Sequence, residues 1–273
     1  MRVFCVVAYK GTNYYGWEKQ IGQDSVQEQI EKAIGKILNT EINIYASGRT
    51  DAGVHASGQT FHFDINEKKY EASELMYRIN CVLPVDIKLT SLEYLDNEEF
   101  HSRYNAKSKE YQYRLSLSAK QPFRYDVCWL LKTSDFDRDL FKQAIKKFEG
   151  QHDFSNFTSK EEDKDNFIRE IYTINVGFDE ENEEITVNFI GNGFMRYQIR
   201  YMVGTAVAVA TKKEKMSFID DKLTKTKIRS IVSYKAQPQG LCLVKVIRSG
   251  DEIPRRTHRP DHAEHPADGR RGR

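Results

Sequence analysis

The chain reads as an α+β protein built from two ferredoxin-like halves with antiparallel sheets. Three observations predict this. Periodic segments in residues 1–95 follow the order strand, helix, strand, strand, helix, strand, which is the split βαβ pattern. Residues 110–247 repeat the theme without sequence identity, and 273 residues suit two small domains or one large one. The expected division is 1–98, carrying a candidate catalytic loop, and 105–250, followed by a tail at 251–273.

Residues 2–9 are rich in Val and Phe, a strand by composition. Ser25-x-x-Glu28 is a capping box, and Val26, Ile30, Ala33, Ile34, Ile37 and Leu38 lie on one helical face. Segments 42–46 and 60–64 read as strands flanking a loop, 72–82 as a helix and 87–94 as a strand. In the second half, 110–117, 168–178, 184–191, 225–232 and 241–247 read as strands, and 137–148 and 195–213 as helices. Segments 118–135 and 158–167 read as inserted loops.

Composition is that of an ordinary globular protein, with 39% hydrophobic and 12% aromatic residues. No apolar run approaches the ~20 residues that cross a bilayer, and the amino terminus lacks a signal peptide's apolar region, so a cytoplasmic protein is expected. Cys5, Cys81, Cys128 and Cys242 form no Cys-x-x-Cys pair, which argues against zinc and disulfides; they are expected to be reduced and buried. The histidines are scattered, so no metal site is expected. Net charge is only +2, so any surface for nucleic acid must be a local patch. Candidates are Lys107, Lys109, Arg114 and Arg124, and Arg196, Arg200, Lys212, Lys213 and Lys215; each lysine taken singly is more readily read as a solvated surface charge. Trp17 and Trp129 suit core or edge packing better than base stacking.

The tail differs in kind. It holds six arginines and no lysine, whereas residues 1–250 hold 36 basic residues of which 24 are lysine. It reads as a disordered appendage, with a basic RNA-binding arm as the rival reading.

Chemistry points to residues 47–56, Ser-Gly-Arg-Thr-Asp-Ala-Gly-Val-His-Ala. Gly48 and Gly53 let the chain turn sharply, so that Asp51 projects from a loop tip. Arg49, two positions away, can keep that carboxylate ionised or contact phosphate or a base. A solvated turn after a strand explains the string equally well. In residues 110–117, Tyr111 and Tyr113 share one face of the strand. Arg200 sits among Phe194, Met195, Ile199, Met202 and Val203, and needs a partner if buried.

The Gly48–His55 run closely resembles the signature of the TruA-type tRNA pseudouridine synthases. Residues 8–20, Ser25-Val26-Gln27-Glu28, Phe100-His101-Ser102-Arg103-Tyr104 with Tyr111-Gln112-Tyr113, residues 152–157, Gly193 through Arg200 to Gly204, and Gly240-Leu241 resemble further landmarks of that family in the same order. Lys10 stands where the family usually has Asp, and Glu18 where it usually has Gln; Gln198-Ile199 looks more like the eukaryotic members of the superfamily.

The resemblance implies the pseudouridine synthase fold, with two sheets meeting at a central cleft. It implies isomerisation of uridine in the anticodon stem-loop of tRNA, without cofactor or metal, by a homodimer in which one tRNA contacts both subunits. It implies Asp51 as the essential carboxylate, Tyr111 packing on the target base, Arg200 paired with Asp51, Arg49 displacing the target nucleotide, and Leu241 lining the base pocket. Residue chemistry alone leaves Tyr111 and Leu241 as ordinary strand residues. The rival functions are a non-catalytic RNA-binding module of the same fold, and a hydrolase using Asp51 with Arg49, which lacks a second carboxylate at acid/base spacing.

Overall fold

The computed structural model describes residues 1–118, 121–133, 135–159, 166–224, 229–248 and 251. The first half contains β1 (Arg2–Tyr9), α1 (Val26–Leu38), β2 (Tyr45–Ala46), β3 (His55–Asp64), α2 (Ala72–Asn80) and β4 (Ile87–Leu95). The second contains β5 (Ala106–Ser116), β6 (Trp129–Leu130), α3 (Arg138–Lys146), β7 (Gly150–Asp153), β8 (Ile168–Asp179), β9 (Glu184–Gly191), α4 (Gln198–Ala210), α5 (Ser217–Leu223) and β10 (Leu241–Arg248).

Local chemistry starts the first helix where the pattern predicts. The Ser25 hydroxyl accepts a hydrogen bond from the Glu28 N–H, and Asn39, at φ 54°, ends the helix in the left-handed region. Val26, Ile30, Ala33, Ile34 and Leu38 are buried. Truncating Ile30 or Ile34, both fully buried, to alanine costs about 2–5 kcal/mol.

The strands run in the order β4-β1-β3-β10-β5-β9-β8-β7, with β2 on β3 and β6 on β5. The first half thus runs last strand, first, third, second, and β10, β5, β9 and β8 repeat that arrangement in the second half, with β6 and β7 added to it. The two sheets are fused edge to edge, because β10 pairs antiparallel with β5 and parallel with β3 through Cys242↔His55 and Leu243↔Ala56. His55 locks this seam. Its Nδ1 accepts from the Gly11 N–H at 2.9 Å, and its Nε2 donates to the Gln239 carbonyl at 3.1 Å. Burial lowers its pKa, so it stays neutral in that tautomer.

Several expectations are corrected. Ile42 and Ile44 are buried but lie outside a strand, since the Glu31 carboxylate takes the Ile44 N–H at 3.0 Å in place of a ladder partner. Part of the predicted strand 225–232 lies outside the described residues. Residues 229–232 are not a strand: Asn156 pins them, its side chain accepting from the Ser230 N–H at 2.7 Å and its carbonyl from the Val232 N–H at 2.9 Å. α5 went unread because a seven-residue helix with one buried residue, Ile219, has no period to detect. Cys81 is exposed, not buried. The expected insert 158–167 lies mostly outside the described residues, as does the tail apart from Asp251. Among the described residues, no helix is long and apolar enough to cross a membrane.

Candidate active site

The loop between β2 and β3 is held mostly by neutral groups. Ser47 donates its N–H to the Thr60 carbonyl at 2.9 Å and its hydroxyl to Gln59 at 2.8 Å, while the Gln59 amide donates to the Gly48 carbonyl at 2.8 Å. The Thr50 and Tyr9 hydroxyls meet at 2.8 Å, and the Trp17 N–H donates to the Thr50 carbonyl at 3.1 Å. Gly53, at φ 78°, supplies the left-handed turn. Gly48 serves close approach instead: a β-carbon there would lie 2.3 Å from the Lys109 ammonium, which reaches up from β5 to donate to the Ser47 carbonyl at 3.0 Å. Lys109 is therefore no surface charge. Burial pushes its pKa down to about 8.

Asp51 sits at the tip with its side chain one-fifth exposed (20%), and burial is the largest influence on it, raising its pKa. Arg200, Arg196, Lys235 and the Tyr197 N–H oppose that rise in that order. The Arg200 guanidinium is buried at the head of α4, donates to the Ala236 carbonyl at 2.8 Å, and stands 3.9 Å from the Asp51 carboxylate. That is a charge contact without a hydrogen bond. A carboxylate with raised proton affinity, beside a cation that does not occupy its lone pairs, is suited to act as base or nucleophile.

Tyr111 completes the group from β5. Its ring meets Phe194 edge-on at 5.3 Å, and its hydroxyl pKa is driven up by burial and then by the Asp51 charge. Tyr113 shares its face, yet donates its hydroxyl to the Gln237 carbonyl at 2.6 Å. One tyrosine looks to the carboxylate and the other is tied to backbone.

Asp51, Tyr111 and Arg200 thus converge from a loop, a strand and a helix. Arg49 does not join them: it pairs with Glu18 at 2.5 Å, and the cations acting most on Asp51 are Arg200, Arg196 and Lys235. Leu241 opens β10, buried opposite Tyr113. The predicted basic patches are kept only in part: Arg196 and Arg200 stay together around Tyr197, and others are neutralised. Arg114 and Arg124 both pair with Glu184, and Lys212 with Asp135 at 3.7 Å. Trp17 is core, between Tyr9 and Phe61. His62 and His101, far apart in sequence, meet edge-on within an aromatic cluster with Tyr45 and Tyr104. No group of three or more potential metal ligands occurs among the described residues. Tyr197 and Lys235 were missed; Tyr197 lies inside a recognised run, whereas Lys235 had no signal.

A family model described as tRNA pseudouridine synthase matches residues 5–105 and 144–247, which include Asp51 and Arg200 and leave Tyr111 between the two segments. The chain belongs to the tRNA pseudouridine synthase family. Its relatives include tRNA pseudouridine synthase A of Lactococcus lactis subsp. cremoris (strain SK11), 36% identical over 90% of this chain and 96% of the relative. The same enzyme of Thermoanaerobacter sp. (strain X514) is 37% identical over 90% and 98%, and that of Shewanella piezotolerans 35% over 90% and 92%. Among solved structures, the archaeal box H/ACA sRNP Nop10–Cbf5 complex aligns with a TM-score of 0.36 at 13% identity, over 75% of this chain and 44% of that one, a likeness too slight to carry an argument. The chain is an isomerase of this family, and the non-catalytic reading is not favoured.

Proposed function

We propose that this protein isomerises uridines in the anticodon stem-loop of tRNA, using Asp51 as the essential carboxylate. The observation that carries the reading is the convergence of Asp51, Tyr111 and Arg200 in a chain of this family. The reaction breaks the bond from ribose C1′ to uracil N1, turns the base, forms the bond from C1′ to C5, removes the proton from C5 and leaves N1 protonated. It needs a carboxylate, an aromatic wall for the loosened base and exclusion of water, and it consumes no co-reactant. Asp51 supplies the first; its raised pKa makes it a better proton acceptor than an ordinary aspartate. Tyr111 supplies the wall and a hydroxyl. Arg200 positions and ionises Asp51.

Arg49, exposed at the rim, is proposed to leave Glu18 and help displace the target nucleotide, an unstacking that costs a few kcal/mol. Leu241 is proposed to line the base pocket from the second half. We further propose a cytoplasmic homodimer with units 1–98 and 105–250 in each subunit, as the family resemblance implies. Mapping pseudouridine in tRNA from cells lacking this gene, with and without the restored protein, tests the reading. Restoration in the anticodon stem-loop is expected; restoration elsewhere in tRNA would overturn the target assignment.

A further inference from the structure

Asp51 faces more positive charge than it neutralises. Three cations act on it, yet only Arg200 comes within ion-pair reach. The other two gather on an aromatic ring: the Tyr197 centroid lies 4.9 Å from the Arg196 guanidinium, 4.5 Å from the Lys235 ammonium and 5.1 Å from the Arg200 guanidinium. Among the described residues neither Arg196 nor Lys235 has a carboxylate partner, and both are exposed.

Like charges crowded on one ring repel. A cation on an exposed aromatic face gains only about 0.5–1 kcal/mol, so the ring offsets the crowding without explaining it. The backbone adds a second oddity. Tyr197 takes φ 63°, a left-handed conformation that is an outlier for a bulky aromatic residue. Such conformations persist where the surroundings hold them and tend to mark working sites. Here the turn delays the start of α4 to Gln198 and leaves Arg196 and Tyr197 outside the helix, with the Tyr197 N–H among the groups that lower the Asp51 pKa. In a chain whose formal net charge is only +2, this local excess calls for an anion.

We propose that Arg196 and Lys235, mounted on the Tyr197 ring, form a grip for the RNA phosphodiester adjoining the uridine held at Asp51. The proposal rests on the function assigned above and adds the substrate group that these residues hold. The donors fit it: a guanidinium presents a fork to phosphate oxygens and an ammonium a compact charge. The rival role is that both cations merely keep Asp51 ionised.

The test measures tRNA binding in an Asp51→Asn background, so that turnover is not needed and failure of the catalytic assignment cannot mask the result. Arg196→Gln and Lys235→Gln are each expected to weaken binding roughly tenfold and to lower the slope of log affinity against log salt by about one. A methylphosphonate replacing the phosphate beside the target uridine in an anticodon stem-loop should weaken binding to the parent. It should make little difference to the variant carrying both changes, while Lys142→Gln, an exposed change on α3, should retain the parent's sensitivity. Unchanged affinity and salt slope in both single variants would overturn the grip. So would unchanged affinity accompanied, with Asp51 intact, by a shifted pH profile, the signature of the rival role. A parent indifferent to the methylphosphonate would overturn it as well.

Discussion

The loop that carries Asp51 and the helix head that carries Arg200 face each other, and they are built on opposite principles. The loop is fixed almost entirely by neutral hydrogen bonds from its own half, through Gln59, Thr60, Tyr9 and Trp17, with one borrowed cation, Lys109. The helix head is fixed by a left-handed tyrosine and surrounded by cations that its own half does not neutralise. The difference teaches a division of labour: the first half determines where the carboxylate stands, and the second determines how readily it ionises. Substitutions in the two regions should therefore fail in different ways.

Removing the carboxylate tests both halves at once and should have the largest effect. Asp51→Asn keeps the shape and loses the group that reacts, so pseudouridine formation should fall by at least the ~10²–10⁴-fold that general-base catalysis supplies. tRNA affinity should be nearly unchanged. Turnover by the purified Asp51→Asn protein would end the assignment.

Arg200→Ala probes the ionising side. Arg200 is the largest influence lowering the Asp51 pKa, so its loss raises that pKa further. Because the ionised form is the one required, activity should fail at a higher pH as acid is added, moving the acidic limb of the pH–rate profile upward. Losing the partner of a buried charge also costs ~3–5 kcal/mol in comparable pairs, and lysine should rescue only partly. An acidic limb unmoved in Arg200→Lys, which folds with its charge retained but lacks the fork, together with full single-turnover activity in Arg200→Ala, would exclude the pairing.

The same contrast decides what could be read without coordinates. The carboxylate loop, α1 and the strand face of Tyr111 were legible because capping, glycine spacing and period-two alternation are local rules. Ionisation was not local. Arg49 stands two residues from Asp51 yet turns to Glu18, while Arg200, Arg196 and Lys235 arrive from the far half. Nothing in the letters marks Tyr197 as left-handed, and Lys235 is one lysine among 24. The strand expected at 225–232 shows the same limit over its described residues: one buried residue, Asn156, through its side chain and its carbonyl, replaces a ladder with bonds that no pattern announces.

Lys109→Met should sharpen the positioning side. With a folded pKa of about 8 against an ordinary value of 10.5, the buried ammonium binds its proton less tightly folded than unfolded. The unfolded chain therefore carries more protons between those values, and this residue makes stability rise with pH from about 8 to 10.5. Chemical denaturation across that range should show the rise in the parent and its loss in Lys109→Met, with kcat lowered and the acidic limb of the pH profile unmoved. An unaltered stability slope would mean that Lys109 is not buried as a charge.

The paired tyrosines offer a milder version of the contrast. Tyr113→Phe leaves the Gln237 carbonyl without its donor and should cost about 1–3 kcal/mol of stability while chemistry proceeds. Tyr111→Phe should leave stability near the parent's and slow only the chemical step; Tyr111→Ala should in addition lose ~1–3 kcal/mol of base stacking. Equal, near-parental rates in Tyr111→Phe and Tyr111→Ala would return Tyr111 to an ordinary strand role.

The smallest effect belongs to the rim, where Arg49 and Glu18 pair with 71% and 46% of their side chains exposed. Exposed pairs contribute only about 0.2–1 kcal/mol, so Glu18 restrains Arg49 weakly. RNA must nevertheless displace it, and a carboxylate beside an approaching phosphate adds repulsion. Glu18→Gln should therefore tighten tRNA binding by about 1.5- to 5-fold at low salt. The gain should shrink as salt screens the rim, and Arg49→Ala should cancel it. A gain that survives in the Arg49→Ala background would mean that Glu18 repels the RNA directly, and that Arg49 is not the group it holds back.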